Sequence, residues 1–453
     1  MVDEKPVLSF GDLLFPRIFQ AFRMAIQPAK LAIAFAAVTI ICLTGWVMDL
    51  SRPVVTGTYM VASARAGSTA LHENHSVTEL DIYMLPEASL RNFVESRPAG
   101  NRTGVFSTLS RFGAKEFHAA VYGILSLKIS NVARSIIDCI NALTWAFRWH
   151  PLYSIIFFAV VSVVLSIAGG AICRITALQF SRAEKASPWE AVHFARRRLV
   201  SLLGGLLGPG LLAFVFGLPI VLLGFVGNVP KIGELLTGLF LLLAFIVACA
   251  ITITLVGAVA GLGLTSPAVA YEDSDSFDAV NHSFCYVYSK PWHMGFYMIV
   301  ALVYGAVCYL FVRLFGFLLL WTTYRFLEIG FLGGNAKLHA IWPEPTFASF
   351  LEAPGTVPGT WSVGLAASLV RLWVLAVVGL MASFVISFYF SANTIIYALM
   401  RHRVDRTPLA EVYTSPQETA ASSLSFGAET EAAAAPPATE LNGGSGQGLK
   451  TSG

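Results

Sequence analysis

Tyr271–Trp292 reads YEDSDSFDAVNHSFCYVYSKPW, a short polar-to-amphipathic stretch wedged between two long apolar runs. Past its carboxylates, Phe277, Val280, Phe284 and Val287 recur at steps of three, four and three, which is one apolar face of a helix. Asp275-Ser276-Phe277-Asp278 sets a capping side chain three residues ahead of a carboxylate, the pattern of a helix start. Negative charge there also suits the positive end of the helix dipole. The chain contains a near-copy: FSRAEKASPWEAVHFARRR, Phe180–Arg198. Aligning Asp278-Ala279-Val280 with Glu190-Ala191-Val192 lays Phe277 on Trp189. In this copy Ser187 is placed to cap, Glu190 to reach back, and Pro188 takes the first helical position, where its missing N–H costs nothing. The spacing predicts two short helices, near 187–198 and 275–290, each lying along a membrane surface and feeding the next apolar run.

The rest of the chain supplies the membrane. It is 56 % hydrophobic and only 13 % charged, with a mean hydropathy of +0.68, against about 25 % charged in an ordinary soluble protein. Several apolar runs exceed the roughly 20 residues that cross a bilayer. The alternating pattern of a transmembrane barrel is missing. The fold class is therefore an all-α polytopic membrane protein with about six transmembrane helices. A net charge of +3 is too small to recruit nucleic acid, so the expected partner is the lipid bilayer. The six cysteines are scattered without a CxxC pair, which gives no metal or redox motif, and no cofactor is expected.

Residues 1–30 form a basic amphipathic lead-in with Phe15, Phe19, Phe22 and Ile26 on one face, and Ser9-Phe10-Gly11-Asp12 resembles a third capping pattern. The first span, Leu31–Met48 within 31–50, reads as an uncleaved signal anchor; the rival is a signal peptide cut near Ala62-Ser63-Ala64. Residues 51–150 make a large outer loop. Its first part is too lean in aliphatics for a core of its own. Its second part carries Ile129, Val132, Ile136, Ile140, Leu143 and Phe147 at helical spacing, an amphipathic helix on the outer surface or a re-entrant segment.

A five-span bundle over 151–400 follows: Pro151–Cys173, Leu199–Val226 broken by Pro209, Glu234–Leu264, Met294–Leu320, and a last span from Gly364 that leaves the membrane near Ser391-Ala392-Asn393. Residues 401–453 form a cytoplasmic tail, without apolar periodicity and hence disordered beyond Ser415. Lys and Arg set the orientation. With the N-terminus inside, the inner segments hold Arg174, Arg182, Arg196, Arg197, Arg198, Arg401, Arg403 and Arg406 among others, while the short outer loops hold Lys231, Arg325 and Lys337. Both termini are then cytoplasmic, and the architecture is three units, each an interfacial helix plus a transmembrane hairpin.

At GGAICRITALQFSRAEKASPWEAVHFARRR, SPAVAYEDSDSFDAVNHSFCYVYSKPW and ANTIIYALMRHRVDRTPLAEVY the chain resembles an uncharacterised family of bacterial multi-pass membrane proteins, over about residues 10–413. The resemblance implies a bacterial cytoplasmic membrane and no particular activity. Around EDSDSFDAVNHS the chain is also similar to membrane domains attached to some glycerophosphodiester phosphodiesterases. Their separate catalytic domain has no counterpart here.

Several groups stand out as candidates. Arg313 and Arg371 lie in apolar runs at similar depth on consecutive spans; either they snorkel, or they face the bundle and share Glu234 as an acceptor. Arg196, Arg197 and Arg198 suit anionic lipid headgroups or simply set topology. His72 and His75 lack the further ligands a zinc site needs. Gly204/Gly208 and Gly257/Gly261 permit close helix contact. The leading function is a non-enzymatic membrane scaffold or envelope component. The alternative is a transporter or lipid-handling protein with an inter-helix cavity, and a membrane-embedded enzyme comes third.

Overall fold

The computed structural model describes residues 15–58, 76–84, 94, 101–184, 186–331, 335–347, 350 and 361–412. Met1–Glu411 form one compact unit, and of the remainder only Val412 is described. The Ser9–Asp12 pattern, Ala62–Ala64, the His72/His75 pair and the tail beyond Ser415 lie outside the described residues.

A 3-10 turn, Phe15–Phe19, leads into α1 (Gln20–Ala25) and α2 (Pro28–Met48). Strands β1 (Val54–Thr58), β2 (Ser76–Thr78) and β3 (Arg102–Thr103) form an antiparallel sheet in the order β2-β1-β3, with α3 (Glu79–Tyr83) after β2. Helices α4 (Val105–Leu125) and α5 (Ile129–Trp149) make a hairpin. Then come α6 (Pro151–Arg182), α7 (Pro188–Arg197), α8 (Leu199–Gly227), α9 (Ile232–Glu272), α10 (Ser276–Ser289), α11 (Pro291–Gly330), α12 (Asn335–Ile341) and α13 (Trp361–Val404). Six of these, α2, α6, α8, α9, α11 and α13, are long and apolar enough to cross a membrane. The chain is a multi-pass helical membrane protein.

The spans outrun their apolar runs. With 44 residues, α13 is about 66 Å long at 1.5 Å per residue, against about 30 Å of hydrocarbon. Ser391-Ala392-Asn393 is not an exit into water. These residues are buried where α13 packs against α6 and α9, and the helix continues to Val404. Nor does Pro209 break α8, which runs through both Pro209 and Pro219. Proline is tolerated inside a membrane helix because neighbouring groups and small local adjustments satisfy the freed carbonyl.

Burial concentrates where α6, α9 and α13 end, over Ala168–Leu178, Leu264–Tyr271 and Ser383–Met400. We call this the junction end. Buried Ser383, Ser387 and Ser391 recur every four residues on α13, a small-residue stripe that lets backbones approach. Ser387 Oγ donates to Ala25 O at 2.8 Å and seats α1 on that stripe. Away from the junction, α8 and α9 pack mainly on each other, and Leu239, Leu242, Phe245 and Ile246 are exposed.

The two short helices form where the spacing places them, as α7 and α10. Each folds back along the span before it, α7 on α6 and α10 on α9. Ala183 and Asp273 adopt left-handed conformations, φ 57° and 55°, and reverse the chain. Helix α1 repeats the arrangement on α13, at the other end of the chain. All three bury a small pair four residues apart: Ala21/Ala25, Ala191/Ala195 and Ala279/Ser283. Helices α7, α10 and α1 thus dock on the spans α6, α9 and α13 respectively.

The expected capping boxes are absent. Ser187 and Asp275 have the extended backbone of an N-cap, yet neither side chain makes a capping hydrogen bond. Asp275 instead lies 3.6 Å from Arg198. A capping box does form at Thr78 and Asp81 of α3. Ser187→Ala should therefore change stability by less than about 0.5 kcal/mol, where Thr78→Ala should cost about 1 kcal/mol locally. Amide exchange in α7 and α3 measures both; increased exchange in α7 of Ser187→Ala would restore the capping role.

The segment between the first two spans has a core after all. Val54, Val55, Leu80, Ile82, Val105, Ala142, Trp145 and Ala146 are buried together. The lean first part contributes only four of these, and α4 and α5 bring the others. Its second part is two helices rather than one. Asp49, at the end of α2, holds the start of α4: its carboxylate accepts from Phe106 N (2.9 Å), Ser107 N (2.8 Å), Ser107 Oγ (2.6 Å) and Tyr153 OH (2.9 Å).

Candidate functional site

The residues that carry most of the ionisable chemistry converge at the junction end. Glu272, the last residue of α9, accepts from Tyr397 OH at 2.8 Å and lies 3.1 Å from both Arg401 Nε and His282 Nε2. Tyr397 and Arg401 come from α13 and His282 from α10, so the α9 carboxylate ties three helices together. Beside it, Tyr286 OH donates to Asp405 at 2.5 Å. Burial, then Asp405, holds the Tyr286 phenol well above its ordinary pKa, so it remains a donor. The rings of Tyr271 and Tyr286 pack on Tyr397 at 5.6 and 5.4 Å.

Four further cations brace the same end. Arg174, buried in α6, donates to Ala270 O at 2.7 Å, at the end of α9, and covers the Phe194 ring of α7 at 4.8 Å. Arg198 pairs with Asp273, the residue that turns the chain out of α9. Lys290 donates to Arg403 O at 3.0 Å, and Arg403 to Tyr297 OH at 3.1 Å. The stretches EDSDSFDAVNHS, GGAICRITALQF and ANTIIYALMRHRVDR, distant in sequence, thus meet at one place. Among the described residues no group of His, Cys, Asp and Glu is arranged to hold a metal ion.

No family model, curated protein or solved structure matches the chain. The resemblances read from the sequence therefore rest on the quoted residues alone.

The structure separates the intramembrane trio. Arg313 donates to Phe347 O at 2.8 Å and stands 4.9 Å over the Phe347 ring and 5.7 Å over Phe350. Its acceptors come from the loop after α12, which folds back onto α11. Arg371 and Glu234 are exposed on α13 and α9, and among the described residues no ion pair joins the three. The arginine run is also divided: Arg198 is engaged by Asp273, while Arg196 and Arg197 are exposed.

Of the glycines, Gly261 receives α10 through Ser283 Oγ on its carbonyl at 2.8 Å, and Gly257 lies under Tyr288. Gly204 faces Ser276, whereas Gly208 faces open space. They serve packing of α10, a short helix, rather than of one span on another. The junction itself was not legible beforehand. Glu272 and its acidic neighbours read as caps, and Tyr397, Arg401 and Asp405 stood only as part of a span end; the signal available was that all lie in the stretches adjoining the repeated helices.

Proposed function

We propose that the chain is a non-enzymatic integral protein of a bacterial cytoplasmic membrane, a scaffold or envelope-organising component. One observation supports this reading above the others: the junction's ionisable side chains are engaged with one another. Glu272 has three partners, Asp405 holds Tyr286, and Arg198 holds Asp273. Groups so paired lock helices together, and exposed Arg196 and Arg197 are left for anionic lipid headgroups, at about 1 kcal/mol each.

A transporter or lipid-handling role draws on a different feature, an open apolar groove along α11 lined by Phe315, Leu318, Leu319, Phe326 and Leu327. Reconstitution distinguishes the two. In vesicles carrying fluorescent phospholipid in both leaflets, a scaffold leaves the inner-leaflet signal protected from an external reductant, as in protein-free vesicles. Its loss on adding protein would replace the scaffold reading with lipid movement.

Both termini are placed in the cytoplasm, on the strength of the charge distribution. Arg182, Arg196, Arg197, Arg401 and Arg403 flank the junction end, against Lys231, Arg325 and Lys337 in the short connecting segments at the other, with the long 51–150 segment left out of the count. Labelling tests it in a background that keeps only buried Cys173 and Cys308. A cysteine at exposed Ser110 should react with an impermeant thiol reagent from outside whole cells, and one at exposed Glu184 only after the membrane is opened. The reverse pattern would invert the protein.

A further inference from the structure

Helix α5 carries three faces. Ala142, Trp145 and Ala146 enter the core of the 51–150 segment, and Arg134, Asn141 and Arg148 are exposed polar residues. The third face is Ile129, Ile136, Ile140, Leu143 and Phe147, at steps of seven, four, three and four, and 42 to 81 % exposed. Five large apolar side chains in line on one helix are more than the scattered exposure of a soluble surface.

Where this face leads decides what covers it. A single residue, His150, separates α5 from the span α6. The joint is held: Ser154 Oγ of α6 donates to Ala146 O at 2.8 Å, and His150 lies 3.4 Å from Glu79. Phe147 stacks on Phe158 of α6 at 5.3 Å. The first turns of α6 also expose Leu152, Ile155 and Ile156. The apolar face of α5 is thus continuous with the apolar surface at the start of a membrane span, a surface that lipid covers.

We infer that α5 is a second membrane-binding element, lying in the interface of the leaflet at the end remote from the junction. Ile129, Ile136, Ile140, Leu143 and Phe147 enter the acyl boundary, as an amphipathic interfacial helix does. Arg134, Asn141 and Arg148 remain in the headgroup region or in water. The occupant of the face is phospholipid, and the folded segment between the first two spans is held down on the membrane by it.

Spin labels in phospholipid nanodiscs test this on the full-length chain, with exposed and half-buried Cys42, Cys139, Cys249 and Cys285 replaced and buried Cys173 and Cys308 kept. Labels are placed singly at Ile140→Cys, Ile136→Cys and Asn141→Cys. At positions 140 and 136 dissolved oxygen should relax the label more than a water-soluble nickel chelate does, and at 141 the order should reverse. Equal nickel access at 140 and 141 overturns the proposal. So does shielding of 140 from both reagents with spin–spin broadening that vanishes on dilution by unlabelled protein, which would put a second copy on the face. Ile136, on the same face, guards against a local distortion at 140, and disagreement between the two also overturns it.

Discussion

Glu272→Ala should destabilise the detergent-solubilised protein by about 2–3 kcal/mol, the largest effect expected of any single change at the junction. The substitution leaves the Tyr397 hydroxyl, Arg401 and His282 without their shared acceptor. Removing one partner of a fully buried pair costs about 3–5 kcal/mol. Glu272 and Arg401 keep 19 % and 13 % of their side-chain surface exposed, so water offsets part of that loss. Glu272→Gln retains an acceptor for Tyr397 and should fall between Ala and the parent. The measurement is the thermal midpoint, together with amide exchange in α10, whose contact through His282 is lost. An Ala variant that melts with the parent would mean that the three helices are held by packing alone.

Asp49→Ala should release the segment between the first two spans while leaving the bundle folded, at a local cost of about 3 kcal/mol. The Asp49 carboxylate is buried and accepts four hydrogen bonds, two of them from the first backbone N–H groups of α4. Orphaned donors cost roughly 1–3 kcal/mol each when buried, and partial exposure of Ser107 and Tyr153 to water moderates the total. Asp49→Asn keeps one good acceptor oxygen and should recover about half. Protease sensitivity within α4 should rise in the Ala variant at temperatures where the junction helices remain protected. If α4 and α13 lose protection together, the segment is not a separable layer and Asp49 acts through the whole bundle.

Much of the fold could be read beforehand because a bilayer imposes one-dimensional rules. An apolar run long enough to cross is a helix whatever its neighbours, since every backbone group must find its partner within the segment. The six spans and the starts of α7 and α10 at Pro188 and Ser276 follow from that and from local helix signals. Ends were harder. The polar residues Ser391 and Asn393 look like an exit to water, yet α13 buries them because α6 and α9 bring small side chains and backbone close enough to exclude it.

From the sequence by itself came the membrane class, the number of spans and the repetition of a short helix before the third and fifth of them. Each depends on composition and periodicity within a window of one element, and those survive whatever the element packs against. Only the tertiary structure decided that the short helices fold back, that Asp275 meets Arg198 rather than capping its own helix, and that Arg313 turns to Phe347 instead of Glu234. It alone joined Glu272 to Tyr397 and Arg401, 125 and 129 residues away. A carboxylate accepts from whichever donor the fold brings within about 3 Å, and sequence spacing holds no record of that distance.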